Sequence, residues 1–316
     1  MYYYLWNPRN VYIRNQEKHP FHLVDPSPWP IATATSALGI TLYLPLLFHG
    51  ALPLDIVNVI FGPGSLFYFL YRWFQDIITE SSYQGHHTQR VVQGLKYGML
   101  LFIISETMFF FSFFFAYFYY SLSPSIWIGG IWPPKGIVTS GPCLLAAANT
   151  VLLLGSGVSL TYAHAALIVG DRQKAIAGME GTLLLAVTFM FYQCLEYKYS
   201  SFHINDSVFG SIFFMITGFH GLHVLIGTIF IYTCLIRVLN PHNVTFTHQH
   251  HFGFMAALWY WHFVDIVWLF VFFILYIWGT WGSWLIVGGQ GGIVHKYLSR
   301  YLGSDLCLYK SFFGTS

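Results

Sequence analysis

The residues able to do chemistry in this chain are the ionisable side chains set inside apolar stretches. Glu106 lies among Ile103, Ile104, Met108, Phe109 and Phe110, nine residues into such a stretch. At ~1.5 Å rise per residue that is about 13 Å deep in a helix. A carboxylate there must pair or stay protonated, which makes Glu106 a candidate proton-exchanging acid. The competing reading is a structural hydrogen bond to Ser105, Thr107 or another helix. His220 and His223 are three apart and share one helical face. A metal or haem role for them meets an obstacle. Di-haem membrane cytochromes need two helices with two well-separated histidines each, and only His248 and His262 approach that spacing, with His248 in a loop. A neutral histidine pair bonded to facing helices fits better. The run His248-Gln249-His250-His251 has metal-ligating chemistry but fits an interfacial polar cap more readily. His262 and Asp265, again three apart, can neutralise each other within one helix and read as structural, as does His164. No catalytic residue and no metal ligand is assigned.

The elements that position these residues follow from composition. Of 316 residues, 56% are hydrophobic, 20% aromatic and only 8% charged. Soluble domains carry roughly 25% charged residues, so a water-facing surface is excluded, as are disordered and collagen-like chains. A net charge of +2 is too small for a nucleic-acid footprint. Four cysteines without a CxxC argue against a disulfide framework or a cysteine metal site. A bilayer core of about 30 Å needs roughly 20 apolar residues per helix. The chain supplies seven such runs, at about 31–52, 56–75, 97–121, 142–169, 176–195, 208–236 and 254–279. The second is the weakest, diluted by Gly62, Pro63 and Gly64. The expected fold is an all-α polytopic membrane protein. Trp29, Trp73, Trp127, Trp132, Trp259 and Trp261 fall near proposed span ends, where indole rings favour the headgroup level. No fixed-period repeat is visible, which weakens an inverted-repeat transporter.

Charge asymmetry predicts the orientation. The N-terminal segment and the connections after the second, fourth and sixth spans hold nine of the 14 basic residues, against Lys135 and Lys198 on the other side. The N-terminus is therefore expected to face the cytoplasm or the mitochondrial matrix. The first 30 residues show neither a signal-peptide core nor a transit-peptide composition, which suits synthesis in the compartment of insertion, hence an organelle-encoded protein.

Longer motifs carry a resemblance. His19-Pro-Phe-His-Leu-Val-Asp-Pro-Ser-Pro-Trp29-Pro30, Gln84-Gly-His-His-Thr88, Gly94-Leu-Lys-Tyr-Gly-Met99, Phe102-Ile-Ile-Ser-Glu106 and Trp132-Pro-Pro134 recur in order. So do Gly157-Val-Ser159, Gly170-Asp-Arg172, Gly218-Phe-His-Gly-Leu-His-Val224, His250-His-Phe-Gly-Phe254 and Trp259-Tyr-Trp-His-Phe-Val-Asp-Ile-Val-Trp-Leu-Phe270. Together, over about 19–279, they resemble the cytochrome c oxidase subunit III family. The resemblance implies two bundles, two helices against five, forming a V-shaped cleft with ordered phospholipids. It implies no haem or copper in this chain; the redox centres belong to subunit I, on which it packs, and subunit II is a further partner. Accessory subunits, and other respiratory complexes in supercomplexes, are further implied partners. The implied role is support of proton uptake and of active-site integrity, in the mitochondrial inner membrane rather than a bacterial plasma membrane. Glu106 takes the place of the family's buried, carbodiimide-reactive glutamate. Arg72, Trp73, Glu80, His87 and Arg237 take lipid-binding places.

Departures from the family pattern are Phe74-Gln75 after Trp73, Thr79 before Glu80, Asn240 after Arg237, and Met255 after Gly-Phe. Several lipid-facing charges are thus replaced. The expected organisation is an extension at 1–18, a membrane domain at 19–280, and a C-terminal extension at 281–316. In the last, Ile293, Val294, Tyr297, Leu298, Tyr301 and Leu302 gather on one face of a short helix. A transporter with a midplane site and a di-haem redox subunit are the competing function classes, separable by a visible absorption spectrum.

Overall fold

A computed structural model describes residues 19–50, 56–139, 141–142, 145–239, 246 and 250–280. The two expected extensions, 1–18 and 281–316, lie outside the described residues, as do His248 and Gln249. Among the described residues there are seven α-helices and no strand. They are α1 (Trp29–Phe48), α2 (Ile56–Ser82), α3 (Gln89–Leu122), α4 (Leu145–Val169), α5 (Arg172–Tyr199), α6 (Val208–Leu239) and α7 (Phe252–Val271). Helix α7 continues through a π-helical turn, Phe272–Ile277, and a 3-10 turn, Trp278–Thr280. Six of the seven are long and apolar enough to cross a membrane; α2 is not among them.

Several helices outrun the apolar runs that announce them. Helix α2 extends past 75 to Ser82, α3 starts at Gln89 rather than 97, and α5 covers Arg172–Tyr199 rather than 176–195. The added turns of α3 and α5 carry Arg, Gln, Lys and Glu, good helix formers, so the helix persists where hydropathy falls. Gly94-Leu-Lys-Tyr-Gly-Met99 lies within α3.

The chain divides into two compact units between Tyr97 and Gly98, within α3. In the first, α1 packs along α2. The Trp29 indole N–H donates to Asp76 Oδ2 at 2.5 Å, and the Arg72 guanidinium sits 5.2 Å above the same indole. The segment before α1 is tied to the α2–α3 connection. Thr88 Oγ1 donates to the Pro20 carbonyl at 2.5 Å, and the His22 and His86 rings stack at 4.6 Å.

In the second unit α4 packs on α5 and α7, and α6 on α5 and α7. Close crossings depend on absent side chains. A Cβ on Gly178 would meet Ala163 Cβ at 2.8 Å, and one on Gly227 would meet the Trp261 ring at 2.8 Å. Helix α4 presents a polar seam to its neighbours. Thr150 Oγ1 donates to the Ala146 carbonyl and accepts from the Trp268 indole N–H at 3.0 Å. Ser156 Oγ donates to the Leu153 carbonyl and accepts from the Trp261 indole N–H at 2.9 Å. Ser159 and Thr182 share a hydroxyl hydrogen bond of 2.8 Å. Trp261 is therefore not an interfacial tryptophan, as its place near a span end suggested. It is fully buried, because Gly227 leaves room for the ring and Ser156 satisfies its N–H.

Candidate functional site

Helix α3 carries Glu106 and helix α6 carries His223, 117 residues apart in sequence. The fold brings Glu106 Oε2 to 2.9 Å from His223 Nε2. Ser105 and Thr107, the local partners anticipated for the acid, turn to their own helix instead. They donate to the Phe102 and Ile103 carbonyls at 2.7 and 2.8 Å. Such i−3 and i−4 back-bonding is what short hydroxyl side chains do in an apolar setting, and it leaves the acid to find a partner across helices.

The proton inventory of the pair follows from the other imidazole nitrogen. His223 Nδ1 lies 2.6 Å from the Phe219 carbonyl, which can only accept, so Nδ1 carries its hydrogen. Nε2 then has two options. It accepts from a protonated Glu106, or as imidazolium it donates to the carboxylate. Each arrangement holds one shared proton and no net charge. The surroundings are aromatic: the Phe110, Phe109, Tyr260 and Phe263 rings lie 5.0, 6.3, 6.3 and 6.5 Å from the imidazole. Edge and face contacts of that kind fix the ring without offering it another proton acceptor.

His220, one turn away, is fully buried and points elsewhere. Its Nε2 lies 3.2 Å from the Val264 carbonyl of α7, and the ring packs on Trp268 and Phe189. The two histidines of the sixth span thus serve different neighbours. On α7, His262 Nδ1 stands 3.7 Å from Asp265 Oδ2, and its Nε2 is 3.2 Å from Thr161 Oγ1 of α4. Gly157 lets the carboxylate come against α4; a Cβ there would collide with Asp265 Oδ2. His164 faces His251 with ring centroids 5.3 Å apart. Among the described residues no group of three or more His, Cys, Asp or Glu could hold a metal ion.

The residues matched to lipid-binding places are distributed over both units. In the first, Arg72 is half-buried over Trp29 with Nη1 donating to Gln75 Oε1 at 3.0 Å. Trp73 and Glu80 are half-buried farther along α2, and His87 is half-buried in the following connection, 6.5 Å from His22. In the second, Arg237 ends α6 with its guanidinium 4.1 Å over the Phe246 ring.

Two features escaped the sequence reading. Arg172 donates through Nε and Nη2 to the Val238 and Leu239 carbonyls, both at 2.9 Å, closing the C-terminus of α6. Glu196 is a buried acid, bonded to Gln193 and Tyr276. The spacing of three between Gln193 and Glu196 was available as a signal that both share one helical face.

The family model described as "Cytochrome c oxidase subunit III" matches residues 19–280. Curated proteins named "Cytochrome c oxidase subunit 3" are similar over most of the chain. The protein from Prototheca wickerhamii is 52% identical over 259 residues, covering 81% of this chain and 96% of its own length. That from Osphranter robustus is 48% identical over 256 residues, covering 81% and 96%. That from Arabidopsis thaliana is 47% identical over 259 residues, covering 81% and 95%.

Proposed function

The chain belongs to the cytochrome c oxidase subunit III family, and from that premise we propose that it is a core subunit of the respiratory oxidase, complex IV, without a redox centre of its own. Haem and copper are carried by partner subunits, and electrons pass from cytochrome c to oxygen there while protons are pumped. This chain packs chiefly on subunit I, with subunit II and accessory subunits nearby and further respiratory complexes in supercomplexes. It crosses the mitochondrial inner membrane several times with its N-terminus towards the matrix, and it is organelle-encoded. Its contribution is to sustain proton uptake and to preserve the active site during turnover.

The observation that carries this reading is the Glu106–His223 pair. An acid that shares a proton with an imidazole inside a membrane span keeps an ionisable site at no net charge, which suits a subunit of a proton-translocating machine. Phospholipid headgroups are held by Arg72, Trp73, Glu80 and His87 on one unit and by Arg237 on the other. Each basic side chain near an anionic headgroup contributes about 1 kcal/mol, so lipids are retained despite the replaced charges. His220, His223, His262 and Asp265 serve as intramembrane polar anchors between helices.

The test is purification from the native membrane in mild detergent, followed by turnover to exhaustion. Co-purification with the haem- and copper-bearing subunits, retained phospholipid by mass spectrometry, and faster inactivation after removal of this chain are the expected results. An oxidase that keeps its full lifetime without this chain would overturn the supporting role.

A further inference from the structure

We propose that Glu196 is a second proton-binding site of the chain, a neutral carboxylic acid held where α4 begins and where α5 and α7 end. Glu196 is 3% exposed. Its Oε2 accepts from Gln193 Nε2 at 3.2 Å and from the Tyr276 hydroxyl at 3.0 Å. No Lys, Arg or His forms an ion pair with it among the described residues. An ionised carboxylate removed from water without a cation is strongly disfavoured, and two neutral donors on one oxygen do not replace a counter-charge.

The polar neighbours of the acid are neutral as well. Asn149, itself fully buried, donates from Nδ2 to Gln193 Oε1 at 3.4 Å, which extends the cluster to α4. The cluster of Asn149, Gln193, Glu196 and Tyr276 thus brings two amides and a phenol to the carboxyl and no cation. Protonation of Glu196 on Oε1, the oxygen free of those two donors, leaves Oε2 to accept both and the cluster without net charge.

The backbone shows a second mark at the same place. Tyr276 lies in the π-helical turn that follows α7 and is fully buried. Such turns are rare. Here the turn aims a phenol at the acid. The site differs in kind from Glu106. Glu106 faces an imidazole, so its proton can move without creating net charge; Glu196 faces no base, and its proton is expected to stay in place.

The test uses the assembled oxidase with Glu196→Gln and Tyr276→Phe, with infrared spectra recorded at matched protein amounts. Glu196→Gln should assemble, because the amide preserves volume and a donor, and should lose one carbonyl band of a protonated carboxylic acid. Tyr276→Phe should keep that band and shift it to higher frequency, because one donor to the carbonyl is gone. Loss of intensity from the carboxylate bands instead, or failure of Glu196→Gln to assemble while Tyr276→Phe does, would overturn the proposal.

Discussion

Substituting Glu106 by Gln separates the two proton arrangements of the Glu106–His223 pair. Because Nδ1 of His223 is committed to the Phe219 carbonyl at 2.6 Å, only Nε2, 2.9 Å from the acid, is open to change. If the acid is protonated, a Gln amide N–H takes over its role as donor to the Nε2 lone pair. The loss is then no more than the net worth of one neutral hydrogen bond, about 0.5–1.5 kcal/mol. Glu106→Ala removes the donor altogether and leaves Nε2 without a partner, costing about 1–3 kcal/mol for the stranded group plus a cavity contribution. If the pair is a carboxylate and an imidazolium, Gln instead breaks a half-buried ion pair and strands the imidazolium beside a neutral amide, a larger loss than that of a neutral hydrogen bond. The neutral arrangement is the one expected, because it separates no charge within the membrane span. The assay is chaotrope-induced release of this subunit from the purified oxidase, compared for wild type, Gln and Ala. The expected order places Gln near wild type and Ala well below. If Gln releases as readily as Ala, the acid is an obligate anion and the reasoning fails.

Gly227→Ala is expected to destabilise by about 1–3 kcal/mol, because the added Cβ would meet the Trp261 ring at 2.8 Å; trimming the ring with Trp261→Phe in the same chain should recover part of that loss in the release assay. Asp171 accepts from the Lys174 backbone N–H at 3.1 Å and pairs with its ammonium at 2.8 Å, and these contacts, the side-chain bond foremost, hold its carboxyl below the usual carboxylate range. Its contribution is therefore present above the unfolded pKa and lost as pH falls through the lower folded value, so hydrogen exchange at Lys174 should accelerate only in acid, and Asp171→Asn should flatten that dependence. Deleting residues 288–316 is expected to release an accessory subunit while oxygen reduction continues, as judged by subunit composition on native gels; a full complement after deletion would leave the segment as a membrane anchor only.

What could be read in advance divides by range. Local pairs were legible: His262 and Asp265 face each other because i and i+3 meet on a helix. The place of Glu106 within a span was legible from its apolar neighbours, but its partner was not, since His223 lies 117 residues away and many polar groups competed for it. His220 and His223 share a helical face yet reach different helices, because their rings leave the backbone one turn apart. Trp261 was misplaced because position along a span was taken for depth. Only the missing Cβ of Gly227 shows that the ring turns inward. Glu196 lies one residue past the apolar run at 176–195, where hydropathy gives no sign of burial, yet helix α5 continues to Tyr199 and buries it.

The hydroxyls of α4 bear on how the chain is made. Thr150, Ser156, Ser159 and Thr161 each donate to a carbonyl of their own helix, three or four residues back. A helix leaving the insertion machinery alone would therefore expose none of these four hydroxyl hydrogens unsatisfied to the acyl chains. Helix α7, which supplies the Trp261 and Trp268 indole N–H groups, is made after α4, and the lone pairs of Ser156 and Thr150 receive them only then. The same oxygens act first as passengers and afterwards as docking points. The order of synthesis and the order of hydrogen bonding thus agree, and the later helix can be recognised by partners that were never in deficit while they waited.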